Sequence, residues 1–294
     1  PNVIKFLAIG AFTGGHILIE GVPGTAKTYL AKIFSDTINL SFRRIQSTPD
    51  LMPSDITGSH IFNVKTLEFD FHAGPIFSNI VLVDEINRAP PKTQSALLEV
   101  MQEAQVTIDG DTTALEQPFM IIATKNPIEF AGTFPLPPAQ LDRFMARLIM
   151  NYPSKEAWID ILEKKNERGE TVEVEQVLDA SSVISAKKLI HDQVSVPDDV
   201  LSFISGLCNS TRNSARVMLG ASPTAAVSLL NASRGHAAII RGSENVTIED
   251  VKSVAFDVLN HRLLIRDLEE GQDTKDYGIS KINELLQSTM ESVQ

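Results

Sequence analysis

The residues Gly21-Val22-Pro23-Gly24-Thr25-Ala26-Lys27-Thr28 have the types and spacing of a loop that cradles phosphates. Backbone N–H groups at a helix N-terminus bind phosphate oxygens, and the helix dipole favours the anion. In that pattern Lys27 reaches the β- and γ-phosphates of ATP, or the β-phosphate of ADP, and the Thr28 hydroxyl sits on Mg²⁺. Nucleotide contacts are expected from each of Gly21, Val22, Pro23, Gly24, Thr25, Ala26, Lys27, Thr28 and Tyr29, with Asp84 joining them. The strict pattern has glycine before the lysine, and here it is Ala26. The departure is mild if Ala26 keeps a negative φ, because its methyl then need not block the phosphate.

A second constellation, Asp84-Glu85, closes the apolar run 80–83, with Asp84 57 residues beyond Lys27. Asp84 suits the Mg²⁺ shell, so Thr28 and Asp84 are the candidate metal ligands. Glu85 suits a general base that polarises the attacking water. An acidic pair opening a loop is common, and its weight comes from its place after the phosphate loop. Asn126 ends the apolar run 119–124 and can hold a water or the γ-phosphate without adding charge, although Asn before Pro is more often a turn former. Arg143, within Leu141-Asp142-Arg143-Phe144, either pairs with Asp142 or reaches a neighbouring subunit's γ-phosphate as an arginine finger. Spacing leaves both open.

These residues need a scaffold that brings them together. Residues 16–20 form a short apolar strand, the glycine loop follows, and Leu30, Ile33, Phe34 and Ile38 recur at helical spacing over 27–39. A strand is expected at 42–46 and a proline-rich loop at 47–58. A hairpin is expected at 60–64 and 67–72, where Leu67, Phe69 and Phe71 alternate as in a half-buried strand. Pro90 and Pro91 open a helix to about Ala104, where early prolines are tolerated. A second hairpin centres on Asp109-Gly110 within 105–118. Strands alternating with helices imply an α/β fold, a mostly parallel sheet covered on both faces, with ligands at the carboxyl ends of the strands. After Tyr152-Pro153 helical patterns take over at about 154–167, 198–211, 223–240, 248–265 and 278–290. The expected division is therefore 1–152, a nucleotide-binding α/β domain, and 153–294, a smaller mainly helical lid.

Composition narrows the class. The chain has 294 residues, ordinary for one large or two medium domains, and a net charge of −11. Residues 1–152 carry 11 basic and 15 acidic groups, and residues 153–294 carry 15 and 22. Neither half has a basic stripe, which disfavours nucleic acid as a partner. No apolar run is long enough to span a bilayer. The single Cys208 permits no intrachain disulfide, and the six His lack metal-ligand spacing. Together these features point to a reducing cytoplasm.

The order of phosphate loop, Asp-Glu, strand-end Asn and Leu-Asp-Arg-Phe resembles the AAA+ ATPases, and more narrowly the MoxR family. The matching stretches are 21–28, Arg43-Arg44-Ile45-Gln46 with Thr48-Pro49-Asp50, 53–58, Gly74-Pro75-Ile76-Phe77, 84–91, 92–102 and 106–110. They continue with Asn126-Pro127-Ile128-Glu129, 140–144 and Gly220-Ala221-Ser222-Pro223, so that nearly the whole chain is covered. The family commonly has Ala before the P-loop Lys, in keeping with Ala26.

The resemblance implies a homo-oligomer, a hexameric ring whose hairpins, here about 59–73 and 105–118, line the ring and touch a protein client. It implies Asn126 as sensor 1 and Arg143 as the arginine finger. It also implies partners bearing von Willebrand factor A domains, and a chaperone role in maturation or metal insertion. Two residues depart from the family. Thr224 stands where a sensor-2 Arg is usual and cannot place positive charge on the γ-phosphate, so weaker sensing by the lid or a substitute from Arg212 or Arg216 is expected. Pro138 replaces a usual Glu. The chain opens at Pro1-Asn2-Val3, inside what reads as the first helix, and the adenine-contacting segment of the family is expected to be missing. The leading expectation is a ring ATPase that remodels a protein client. A nucleotide-gated scaffold with little turnover and a DNA-acting motor are the alternatives.

Overall fold

The computed structural model describes residues 2–127, 132–168, 174–266 and 276–293. Ile128 and Glu129, part of the family match, lie outside the described residues.

Helix α1 (Asn2–Thr13) leads into strand β1 (Ile17–Gly21), the phosphate loop, α2 (Lys27–Thr37) and β2 (Phe42–Gln46). Next come α3 (Pro53–Thr57), the hairpin β3 (Gly58–Asn63) and β4 (Glu68–Ala73), and β5 (Ile80–Asp84). A 3₁₀ turn (Ile86–Arg88) precedes α4 (Pro91–Glu103), the hairpin β6 (Gln105–Ile108) and β7 (Asp111–Ala114), and β8 (Met120–Lys125). Helix α5 (Pro138–Leu141) and β9 (Ala146–Met150) complete the sheet, whose order is β2-β5-β8-β1-β9 with every pairing parallel. The apolar runs of β1, β5 and β8 are buried nearly end to end, as a sheet covered on both faces requires.

The helical part holds α6 (Lys155–Arg168), α7 (Ala180–Gln193), α8 (Asp198–Asn213), β10 (Val217–Leu219) and α9 (Pro223–Gly235). Helix α9 runs on as a π-turn, His236–Ile240, before α10 (Ile248–Leu259), β11 (Leu264–Ile265) and α11 (Asp276–Ser292). One apolar core runs through both parts, taking in Ile17 and Leu148 of the sheet with Leu207, Leu229 and Leu286 of the helices.

Four expectations from sequence need correction. The stretch 47–58 contains α3, because Pro53 opens a turn and the Asp55 carboxylate accepts the Met52 N–H at 2.8 Å. Helix α7 escaped the sequence reading because it buries only Val183 and Ile190 among its described side chains; its start is marked by Asp179, which caps the Ser182 N–H at 2.8 Å. The helix expected over 248–265 ends at Leu259, where the chain turns to aim three side chains at the sheet. Strand β4 is not half-buried: Phe69 and Phe71 are 68% and 42% exposed, because β4 pairs only with β3 in a two-stranded ribbon, and Leu67, 73% exposed, lies in the turn before it.

Two buried histidines make the fold sensitive to acid. His16 donates from Nε2 to the Met101 carbonyl at 2.9 Å, while its Nδ1 accepts the Ile121 N–H at 2.9 Å, which fixes the neutral tautomer. Burial, helped by the Lys187 charge and opposed by the bond to Met101, lowers its pKa to about 4. Burial also pushes His261 well below the ordinary range. The unfolded chain therefore takes up these protons first, so the stabilisation is complete above about pH 6.5 and is lost as pH falls toward 4. The loss expected from His16 alone is about 3 kcal/mol. Thermal melts from pH 8 to 4 should show a Tm that falls below pH 6.5, with a flatter profile in His16→Gln. An unchanged slope in that variant would remove His16 from the account.

Candidate nucleotide site

The phosphate loop is a strand-to-helix turn whose shape depends on glycine at two points. A Cβ on Gly21 would lie 2.5 Å from the Met150 carbonyl oxygen, so β1 and β9 could not stay paired there. Gly24 takes φ +80°, which glycine adopts without steric cost. Ala26 corrects an expectation: its φ is +59°, in the left-handed region, so the condition set for it from sequence is not met. An L-residue there costs roughly 1–2 kcal/mol, while glycine would lose about 0.5–1 kcal/mol to chain entropy. Ala26→Gly is therefore expected to stabilise the protein by about 0.5–1 kcal/mol, read in a denaturation curve. Destabilisation would show that the methyl makes a favourable contact.

Register brings the remaining groups together. Strands β5, β8 and β1 are neighbours, so Asp84, Asn126 and the loop after Gly21 leave the sheet side by side. Residues 23–28, Asp84, Glu85 and 124–126 wall one cavity of about 260 Å³. A larger cavity of about 410 Å³, between α1, α7 and α9, holds none of the motif residues. Lys27 Nζ donates to the Gly21 and Val22 carbonyls, both at 2.8 Å. Burial lowers its pKa, and the charges of Asp84 and Glu85 work against that lowering. Thr28 Oγ1 donates to Asp84 Oδ2 at 3.2 Å.

Asp84 also accepts from Thr124 Oγ1 on one oxygen at 2.5 Å and from Arg44 Nη2 on the other at 2.7 Å. Burial raises its pKa, but the bonds from Thr124 and Arg44, with the Arg44 charge and Thr28, outweigh that and hold the carboxyl below its usual range. Asp84 is therefore ionised at neutral pH. The Thr28 hydroxyl and Asp84 carboxylate are adjacent hard oxygen donors, the type that fits Mg²⁺ completed by phosphate and water. Among the described residues no cluster of three or more His, Cys, Asp or Glu offers an all-protein metal cage.

Glu85 has φ +55°, in the left-handed region. Its N–H donates to Thr124 Oγ1 at 2.9 Å, and its Oε2 accepts from Arg88 Nη1 at 3.0 Å. The turn swings the carboxylate out of the strand while Thr124 pins its backbone. Asn126 is 4% exposed and lies in the cavity wall.

Not every expected residue arrives here. Tyr29 is 46% exposed and does not line the cavity, because helical rotation turns it away from the loop. Arg212 donates from Nε to the Ala221 carbonyl at 2.7 Å, and neither it nor Arg216 is among the cavity-lining residues. The expected substitution for Thr224 by either Arg is thus not seen. Pro138 sits in the first turn of α5, where proline is tolerated. Arg143 is exposed, bonded from Nη1 to Gln102 Oε1, while Asp142 is taken by Arg262. Sequence reasoning assigned no role to Thr124, Arg44 or Arg88. Thr124 carried one available signal, its place two residues before Asn126 on the same strand.

A P-loop at the carboxyl edge of a parallel sheet, an Asp-Glu pair and a helical lid define an AAA+ nucleotide-binding protein. The comparisons agree: residues 16–146 match the ATPase family associated with various cellular activities (AAA), and residues 209–282 match the AAA lid domain. The chain is 41% identical over 263 residues to Bacillus subtilis YeaC, an uncharacterised protein, covering 89% of this chain and 82% of YeaC. It is 38% identical over 274 residues to the Mycobacterium tuberculosis chaperone MoxR1, covering 90% and 71%. A crystal structure from Cytophaga hutchinsonii, described as that of an ATPase, superposes with a TM-score of 0.86 at 37% identity, covering 98% of this chain and 88% of the other. The chain belongs to the MoxR family of AAA+ ATPases. It binds nucleotide and hydrolyses ATP.

Proposed function

We propose that this ATPase works as a hexameric ring that remodels or matures a protein client, with hydrolysis at subunit interfaces. The supporting observation is the single cavity in which the phosphate loop, Asp84, Glu85 and Asn126 converge from three neighbouring strands. In this reading residues 1–152 are the nucleotide domain and 153–294 the lid. The backbone N–H groups of 24–28 and the Lys27 ammonium take the triphosphate. Thr28 and Asp84 would hold Mg²⁺, which would neutralise charge on the phosphates. Glu85 accepts a proton from the attacking water, and Asn126 orients that water or the γ-phosphate. Arg143 of the adjoining subunit stabilises charge on the transferred group. The relative named chaperone MoxR1 supports the chaperone reading. In this reading the partner is a protein bearing a von Willebrand factor A domain. Among the described residues no helix is long and apolar enough to cross a membrane. We take the ring as cytoplasmic on the likeness to the chaperone relative.

The test is calorimetry with Mg·ATP followed by phosphate release over a range of protein concentrations. Specific activity is expected to rise with concentration until rings are complete, and Lys27→Ala is expected to abolish detectable nucleotide uptake. Activity strictly proportional to protein through the assembly range would overturn catalysis between subunits. Removing Mg²⁺ with chelator should stop turnover.

A further inference from the structure

Three consecutive side chains after α10, Asn260, His261 and Arg262, are each buried, and each grips the segment that carries Arg143. Asn260 and Arg147 bond reciprocally: Arg147 Nε donates to Asn260 Oδ1 at 2.7 Å, and Asn260 Nδ2 donates to the Arg147 carbonyl at 3.0 Å. His261 Nε2 meets the Phe144 carbonyl at 3.0 Å. Arg262 donates to Asp142 Oδ1 at 2.7 Å and to the carbonyls of Asp142, Phe144 and Met145 at 2.9, 2.7 and 3.0 Å. A second grip comes from the start of α9. Ser222 Oγ donates to the two Asp142 oxygens at 3.0 and 2.8 Å while capping the Ala225 N–H. The lid thus holds both faces of Asp142, the residue immediately before Arg143. A guanidinium with this many fixed acceptors, buried away from water, leaves the segment little freedom.

We propose that Asp142, clasped by Arg262 and Ser222 of the lid, is the positioning residue for Arg143, so that the lid of one subunit sets the aim of the arginine it presents to its neighbour. This rests on the reading of Arg143 as a finger acting in trans. Asp142→Asn keeps the size of the side chain and removes the charge that both lid groups seek. It should lower kcat about 10–100-fold while the KM for ATP stays within about twofold, since the subunit's own nucleotide pocket is untouched.

Mixing subunits separates positioning from a merely structural effect. An Asp142→Asn subunit retains Lys27, Glu85 and Asn126 but aims its arginine badly. A Glu85→Gln subunit lacks the base but aims correctly. Co-assembled, they should regain activity well above either alone, because competent sites form where the first faces the second. Arg143→Ala with Glu85→Gln is the control. If the control regains activity and the Asp142→Asn mixture does not, the positioning role is overturned and the finger stands. If the control fails, catalysis in trans fails and this proposal with it. Should Asp142→Asn not bind Mg·ATP like the wild type, Ser222→Ala decides, since it removes the hydroxyl shared between the Asp142 oxygens, together with the cap on Ala225, and leaves the buried guanidinium alone. A kcat loss repaired by the same mixing supports the clasp, and an unchanged kcat overturns it.

Discussion

Glu85→Gln is expected to lower kcat by about 10²–10⁴-fold with affinity for Mg·ATP retained. The amide keeps the shape of the carboxylate and can still meet Arg88, whose Nη1 lies 3.0 Å from Oε2 in the wild type. It cannot accept a proton from water. The backbone around it should keep its place, because the left-handed turn is pinned by the Glu85 N–H donating to Thr124 Oγ1 at 2.9 Å. Single-turnover phosphate release beside equilibrium binding separates the two effects. Equal release by wild type and variant would favour a nucleotide-gated scaffold over an enzyme, which is the second function class considered from sequence. A variant that holds ATP without consuming it would also be the form in which to capture a client.

Arg143→Ala is expected to lose about 10³-fold or more in kcat. Its guanidinium is exposed and bonds to Gln102 Oε1, itself an exposed side chain. Removing it disturbs no buried partner, so the melting temperature and nucleotide affinity of the isolated subunit should stay near wild type. The loss should appear only in assembled material. At dilutions where subunits are separate, wild type and variant should converge on the same low rate. A large loss in dilute monomer would place Arg143 in its own subunit's site instead.

The local part of this site was legible in the sequence, and the long-range part was not. The phosphate loop, Asp84 and Asn126 each follow an apolar strand, and the residue types at strand ends carry their own meaning. Pairing between strands is different. Thr124 meets Asp84 only because β5 and β8 align Val83 with Ala123, and Arg44 reaches Asp84 only because β2 lies on the other side of β5. Nothing near either residue in sequence announces that. The partner of Asp142 lies 120 residues away, and neighbouring Arg143 looked equally suitable from the sequence. The φ of Ala26 was likewise beyond reach, since a loop's dihedrals follow from its closure between β1 and α2. The alternation of Phe69 and Phe71 was read correctly as a strand, Leu67 falls in the turn before it, and the buried face assigned to all three is not supplied by the fold.

That bare ribbon has a colloidal consequence. Phe62, Val64, Leu67 and Phe69 form a greasy fingertip on a polypeptide whose net charge is −11. Mutual repulsion between like-charged molecules keeps such fingertips from meeting in dilute buffer, and dissolved ions shorten the reach of that repulsion to about 10 Å at 0.1 M. Clumping of the free protein should therefore worsen as electrolyte is added, even though the fold itself is unaltered.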